Sequence, residues 1–146
     1  METKLVEVTQ RVDFSCCYLV NSADYGYELN CHDYKFEATV CGEADKSTNR
    51  VISFERLLRR INDVIPDKKY LYDKNDEDQY NLVKSLKVLG VDCLAFDSSI
   101  SAESILEEIS LLLVEQLNLY DGNVYLKETK LRETASSYVT WKQEVK

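Results

Sequence analysis

His32 is the only histidine in the chain, and it stands near the head of an alternating row. From residue 30 the even positions read Asn30, His32, Tyr34, Phe36, Ala38 and Val40, and the odd ones Cys31, Asp33, Lys35, Glu37 and Thr39. A period of two with one apolar face is the pattern of a half-buried strand, because successive side chains point to opposite sides. The apolar face therefore runs into an amide and an imidazole. An imidazole can hold a metal or move a proton. Such a polar pair either lines a pocket or is satisfied by neighbours, and which of the two applies decides the function. Upstream, Cys16 and Tyr18 lie two residues apart and so share a face of their own strand.

The elements that must position these groups follow from the same patterns. Val6 to Val20 reads as a first strand rich in β-prone side chains, and Asn21 to Gly26 is turn chemistry. Glu28 to Gly42 is the second strand of a long hairpin. Ser53 is an N-cap ahead of Phe54, Leu57, Leu58, Ile61 and Val64, one apolar face of a helix that Pro66 stops. Asp67 to Asp73 leads into the acidic loop Lys74–Asp78, and a short amphipathic piece from Gln79 to Leu89 precedes a β-like run Val91–Phe96. Ser101 caps a second strong helical stripe, Ile105 to Leu117. Asp121-Gly122 turns the chain into a closing strand pair, Val124–Thr129 and Ser137–Trp141. The order is α+β: an antiparallel ββααββ sheet, both helices on one face, with an insertion at 74–99 between them.

At 146 residues the chain is a single domain, 1–146, long enough to bury a core. Its net charge of −8 argues against a nucleic-acid partner, since phosphate backbones are met with clustered Lys and Arg. The basic cluster Arg56, Arg59 and Arg60 fits the solvated face of a helix. No apolar run approaches the roughly 20 residues of a membrane span. The N-terminus, with Glu2, Glu7 and Asp13, does not read as a signal peptide. Five cysteines without C-x-x-C spacing suit buried thiols in a reducing compartment, so a cytoplasmic location is expected.

Several phrases, in order along nearly the whole chain, resemble the 6-pyruvoyltetrahydropterin synthase and 6-carboxytetrahydropterin synthase family, of the tunnelling fold. The family's F-x-A-A-H is similar to Phe14-Ser15-Cys16-Cys17-Tyr18, and its C-x-x-x-H-G-H-x-[YF] to Gly26 through Tyr34. Its [MW]-[VI]-x-D-F-x-x-L resembles Arg50 through Leu57, and its L-D-H-x-x-L resembles Ile65 through Leu71, slightly offset. The start of its second helix, P-T-x-E-x-[LI], is similar to Ile100 through Ile105, and its K-E-T to Lys127-Glu128-Thr129.

The resemblance implies a catalytic zinc held by three histidines, which fall on Tyr18, Asn30 and His32, so only the third survives. A catalytic zinc takes three N, S or carboxylate ligands and an open position. The family's proton-transfer cysteine falls on Gly26, and the histidine of its Asp–His pair on Lys68, with Asp67 retained. A relocated zinc on Cys16 and His32, with Asp24 as third ligand, is a weak alternative to a small buried thiol and a core histidine. Glu128 occupies the position where the family takes the ring N–H and 2-amino group of a pterin, two parallel donors that suit a carboxylate. Thr129 beside it would add main-chain contacts, and His32 would face the same ligand. Against this, a charged strand residue is ordinarily solvated.

These residues imply three alternatives. The first is binding of a pterin or purine-like ring without the zinc chemistry. The second is an enzyme of altered mechanism using a relocated metal, or Asp67 with Lys68. The third is a non-catalytic subunit. The family's assemblies imply a homo-oligomer, a trimer or hexamer, with pockets between subunits.

Overall fold

The computed structural model describes residues 5–143; Glu2, in the stretch read against a signal peptide, lies outside them. Two 18-residue strands, β1 (Leu5–Ser22) and β2 (Gly26–Glu43), form one hairpin paired along its whole length. Gly26, at φ 78°, closes the turn in the left-handed region that glycine enters without strain. On β1 and β2 the even positions Phe14, Cys16, Tyr18, Tyr34, Phe36, Ala38 and Val40 are all buried, as the alternation requires.

Two helices cover that inner face. In α1 (Phe54–Asn62) the Ser53 side chain accepts the Arg56 N–H, and Leu57 and Ile61 are buried. The longer α3 (Ala102–Tyr120) opens on a capping box of Ser101 and Ser104 and buries Ile105, Ile109, Leu113 and Leu117. Phe54 departs from the apolar stripe assigned to α1: it is 65% exposed. It borders a hollow of about 410 Å³ with Val6 and Val8. The arginines of α1 depart too. Arg56 and Arg60 both close on the buried carboxylate of Asp121 at the C-terminal end of α3, Arg60 at 2.9 Å. Arg60 and the half-exposed Arg56 thereby tie the helices together, while Arg59 stays on the solvated face.

The closing pair is β5 (Val124–Arg132) and β6 (Tyr138–Lys142), antiparallel to each other and to β2. A bulge opposite Thr39 and Val40 leaves Lys127 unpaired in the ladder. The insertion is more ordered than its acidic loop suggests. Lys69–Asp73, read as a lead-in to that loop, is β3; it is followed by α2 (Glu77–Val88) and β4 (Cys93–Phe96). Both strands run parallel, β3 beside β1 and β4 beside β3, so the sheet is mixed, in the order β4-β3-β1-β2-β5-β6. Tyr70, Tyr72 and Val83 gather a second small core with Cys17 and Leu19, the odd, outer residues of β1. Thus α1 and α3 share one face of the sheet, and α2 covers part of the other.

A further departure concerns sulfur. Cys17 and Cys31 are direct partners across the hairpin, Cα atoms 4.2 Å apart, and are joined as a disulfide. Cys16, Cys41 and Cys93 are free. The reading of five unpaired thiols therefore holds for three. No helix among the described residues is long and apolar enough to cross a membrane.

Candidate functional site

The hairpin register brings together Tyr18, Asn30 and His32, the positions onto which the resemblance puts three histidines. Tyr18 and Asn30 are direct cross-strand partners, and His32 pairs with Cys16, all on the inner face. The side chains placed there form a hydrogen-bonded aromatic cluster. The Tyr18 and Tyr34 hydroxyls lie 3.3 Å apart, and the His32 ring packs 6.4 Å from Tyr18 and edge-on to Tyr34 at 5.7 Å. His32 Nε2 sits 3.0 Å from Glu133 Oε1, in the turn between β5 and β6. Asn30 turns back on its own strand, its amide 3.5 Å from the Glu28 carbonyl.

The electrostatics suit neutral groups. Burial pushes the Tyr18 phenol above its ordinary value, with Glu133, Cys16 and Glu103 adding to the rise and the Tyr34 hydrogen bond opposing it. Burial raises Tyr34 further still, helped by its hydrogen bond to Tyr18. Cys16 is pushed up to about 12, first by burial and then by the Asp67 charge. Metal ligation by thiol or phenol needs the deprotonated form, and these surroundings oppose it. Asp24 is an exposed turn residue eight positions beyond Cys16, roughly 25 Å along the strand, so it does not complete a Cys16–His32 set. Among the described residues no group of three or more His, Cys, Asp or Glu is placed to hold a metal ion. The donor set of a phenol, an amide and one imidazole engaged by Glu133 does not fit a zinc.

Asp67 and Lys68 are close in sequence but serve different places. Asp67 Oδ1 accepts the Ser15 N–H at 3.0 Å, and the Lys68 N–H donates to the Ser15 carbonyl at 2.6 Å, fastening the loop after α1 to β1. Asp67 lines a hollow of about 360 Å³ with Asp33 and Lys35, whereas Lys68 lines one of about 300 Å³ with Cys17 and Tyr70.

Glu128 lies on the opposite face of the sheet. It pairs with Thr39 on β2 and Lys142 on β6, and its side chain is 25% exposed. Thr39 is seven residues along β2 from His32, roughly 23 Å at strand rise. Within one chain, His32 and Glu128 therefore share no pocket. The nearest charges to Glu128 are the ammonium groups of Lys130 at 3.7 Å and Lys142 at 3.9 Å. Thr129 points the other way, fully buried, its hydroxyl 2.6 Å from Ser110 on α3.

Sequence reasoning missed Glu133, Tyr34 as a hydrogen-bond partner, and the Cys17–Cys31 bond. Only the last had a readable signal: a hairpin centred on Asp24 makes residues 17 and 31 partners by symmetry.

Comparison with known proteins agrees with this fold. The family model described as 6-pyruvoyl tetrahydropterin synthase matches residues 7–144. No curated protein matches. Among solved structures, 6-pyruvoyl tetrahydropterin synthase from Plasmodium vivax superposes with a TM-score of 0.71 at 16% identity, covering 97% of this chain and 99% of that one. An uncharacterized protein from Wolinella succinogenes gives 0.77 at 15%, covering 97% and 100%. The Caenorhabditis elegans synthase gives 0.61 at 15%, covering 99% of each chain. By its match over nearly its whole length, the chain belongs to the 6-pyruvoyl tetrahydropterin synthase family.

Proposed function

We propose that this chain is a family member that has given up the zinc-dependent synthase reaction and keeps a binding role, taking a pterin or purine-like ring on Glu128. One contrast carries the reading. The Tyr18 hydroxyl and the His32 imidazole are spent on Tyr34 and Glu133, whereas the Glu128 carboxylate has only two long ion pairs among the described residues, to Lys130 at 3.7 Å and Lys142 at 3.9 Å. A carboxylate whose two oxygens hold only these long ion pairs and no hydrogen bond among the described residues suits two parallel N–H donors, the fork that a 2-amino pyrimidinone edge presents. The main chain of Thr129 stands beside it. Because His32 and Glu128 are far apart within a chain, the pocket requires a neighbouring subunit. A homo-oligomer, trimer or hexamer, supplies one.

The reading of a non-catalytic interaction subunit is favoured by the open edges of the hairpin. Strand β3 covers β1 only at residues 16–18, and β5 covers β2 only from Lys35 onward. Unpaired strand edges of this length are templates for another chain. Such a subunit would lend Glu128 to a neighbour's pocket. A cytoplasmic location rests on the three free thiols; the Cys17–Cys31 bond weighs the other way.

The test is calorimetry of the intact protein with a pterin and with guanine. Saturable binding that Glu128→Gln abolishes supports the proposal. Absence of binding, or binding indifferent to that substitution, refutes it.

A further inference from the structure

The helices on the two faces of the sheet expose sides of opposite charge. On the outer face, α2 turns Gln79 and Val83 inward. Part of its exposed side reads Tyr80, Lys84, Lys87 and Val88, spaced i, i+4, i+7 and i+8. Val88 is 86% exposed and Tyr80 about half, with the Lys84 ammonium 4.8 Å from the centre of the Tyr80 ring. Neither lysine has an ion pair among the described residues. Asp92, just past the helix, stands 3.8 Å from Lys69. The acids of α2 itself, Glu77 and Asp78, lie in its first turn, roughly 10 Å before Lys84 at helix rise.

On the inner face, α3 carries Glu103, Glu107, Glu108 and Glu115 and no lysine, arginine or histidine. No ion pair engages any of the four among the described residues. Its exposed side repeats every four residues as Glu107, Leu111, Glu115 and Leu119, with Leu111 half exposed and Leu119 73%. Like charges one turn apart repel, Glu103 against Glu107 on α3 and Lys84 against Lys87 on α2. A single exposed leucine or valine is ordinary. Here each helix alternates apolar side chains with charges of one sign, and the sign is reversed between the two.

We propose that a second copy of this chain covers these faces, the α2 of one copy lying along the α3 of the next. The lysines of α2 then meet the glutamates of α3, while Tyr80 and Val88 meet Leu111 and Leu119. That relieves the repulsion on both helices and removes apolar surface from water. Because α2 and α3 sit on opposite faces of the sheet, no copy can satisfy its own faces. The contact is head-to-tail, and it closes into a ring or runs on as a stack. The 12 residues of α2 offer about 18 Å of helix, which gives a contact below standard interface size and a weak, reversible association. It uses neither Glu128 nor the open strand edges, so it stands or falls separately from the reading above.

The test is sedimentation velocity of the intact protein over a wide range of concentration at low ionic strength. The sedimentation coefficient should rise with concentration, and sodium chloride should reverse the rise, since exposed charges are screened. Lys84→Glu/Lys87→Glu and Glu107→Lys/Glu115→Lys should each weaken association roughly tenfold or more, because like charges then face each other. An equimolar mixture of the two variants should associate again, since each face of one opposes a complementary face of the other. Restoration in the mixture also excludes misfolding as the cause of the loss. A size independent of concentration and salt overturns the proposal. So does association that survives either reversal, which assigns it to the strand edges, or a mixture that stays dissociated, which leaves the faces to a different protein.

Discussion

Thr129 offers a sharp test of which side chains near Glu128 are structural. The Ser110 hydroxyl donates to the Leu106 carbonyl at 2.6 Å, so its oxygen must be the acceptor for Thr129, also at 2.6 Å. Both residues are fully buried. Ser110→Ala strands the Thr129 hydroxyl without an acceptor, which costs about 1–3 kcal/mol, the penalty for a buried unsatisfied donor. Thr129→Val keeps shape and β-propensity and leaves the Ser110–Leu106 bond intact, so it should cost only about 1 kcal/mol. In the double variant no orphan remains, and the total should fall short of the sum by about 1 kcal/mol, the coupling of a direct pair. Urea unfolding followed by Trp141 fluorescence measures all three. Strict additivity would refute the buried pair. So would a Thr129→Val protein of unchanged stability that has lost ring binding, since the side chain would then be serving the ligand.

Other expectations follow from single contacts. Cys16 ionises at 9.0 in the unfolded chain and only near 12 when folded. It therefore contributes stability in full below pH 9, and loses it as the pH climbs from 9 to 12; Cys16→Ala should flatten alkaline unfolding curves over that window. Reducing the Cys17–Cys31 bond with a dithiol frees a loop of 14 residues' separation and should lower the thermal midpoint by roughly 5–10 °C in calorimetry. Asp121→Ala leaves Arg60, 11% exposed, without its carboxylate, and should cost about 3–5 kcal/mol in urea unfolding.

The hairpin, helices α1 and α3 and their caps were legible because each rests on a local period or cap: Ser53, Ser101 and the even row from Tyr34 to Val40 are where the patterns place them. The parallel strand β3 was not, since Tyr70, Leu71 and Tyr72 are buried on both faces and so show no alternation. Phe54 misled for the opposite reason, continuing a helical stripe that the core does not reach. At the site, the resemblance located Tyr18, Asn30 and His32, and the register confirms that these positions meet. Their partner Glu133 is set by where the β5–β6 turn swings, a long-range consequence with no local signature. Spacing along the chain likewise could not separate Glu128 from His32, because which sheet face a β5 residue occupies depends on the bulge at Lys127.

The central claim, that the triad positions hold a satisfied aromatic cluster in place of a metal centre, is tested most directly by the zinc content of the purified protein after exchange into zinc-containing buffer and desalting. The account predicts zinc far below one per chain and no change in His32→Ala. One zinc per chain, lost with His32→Ala, would contradict it.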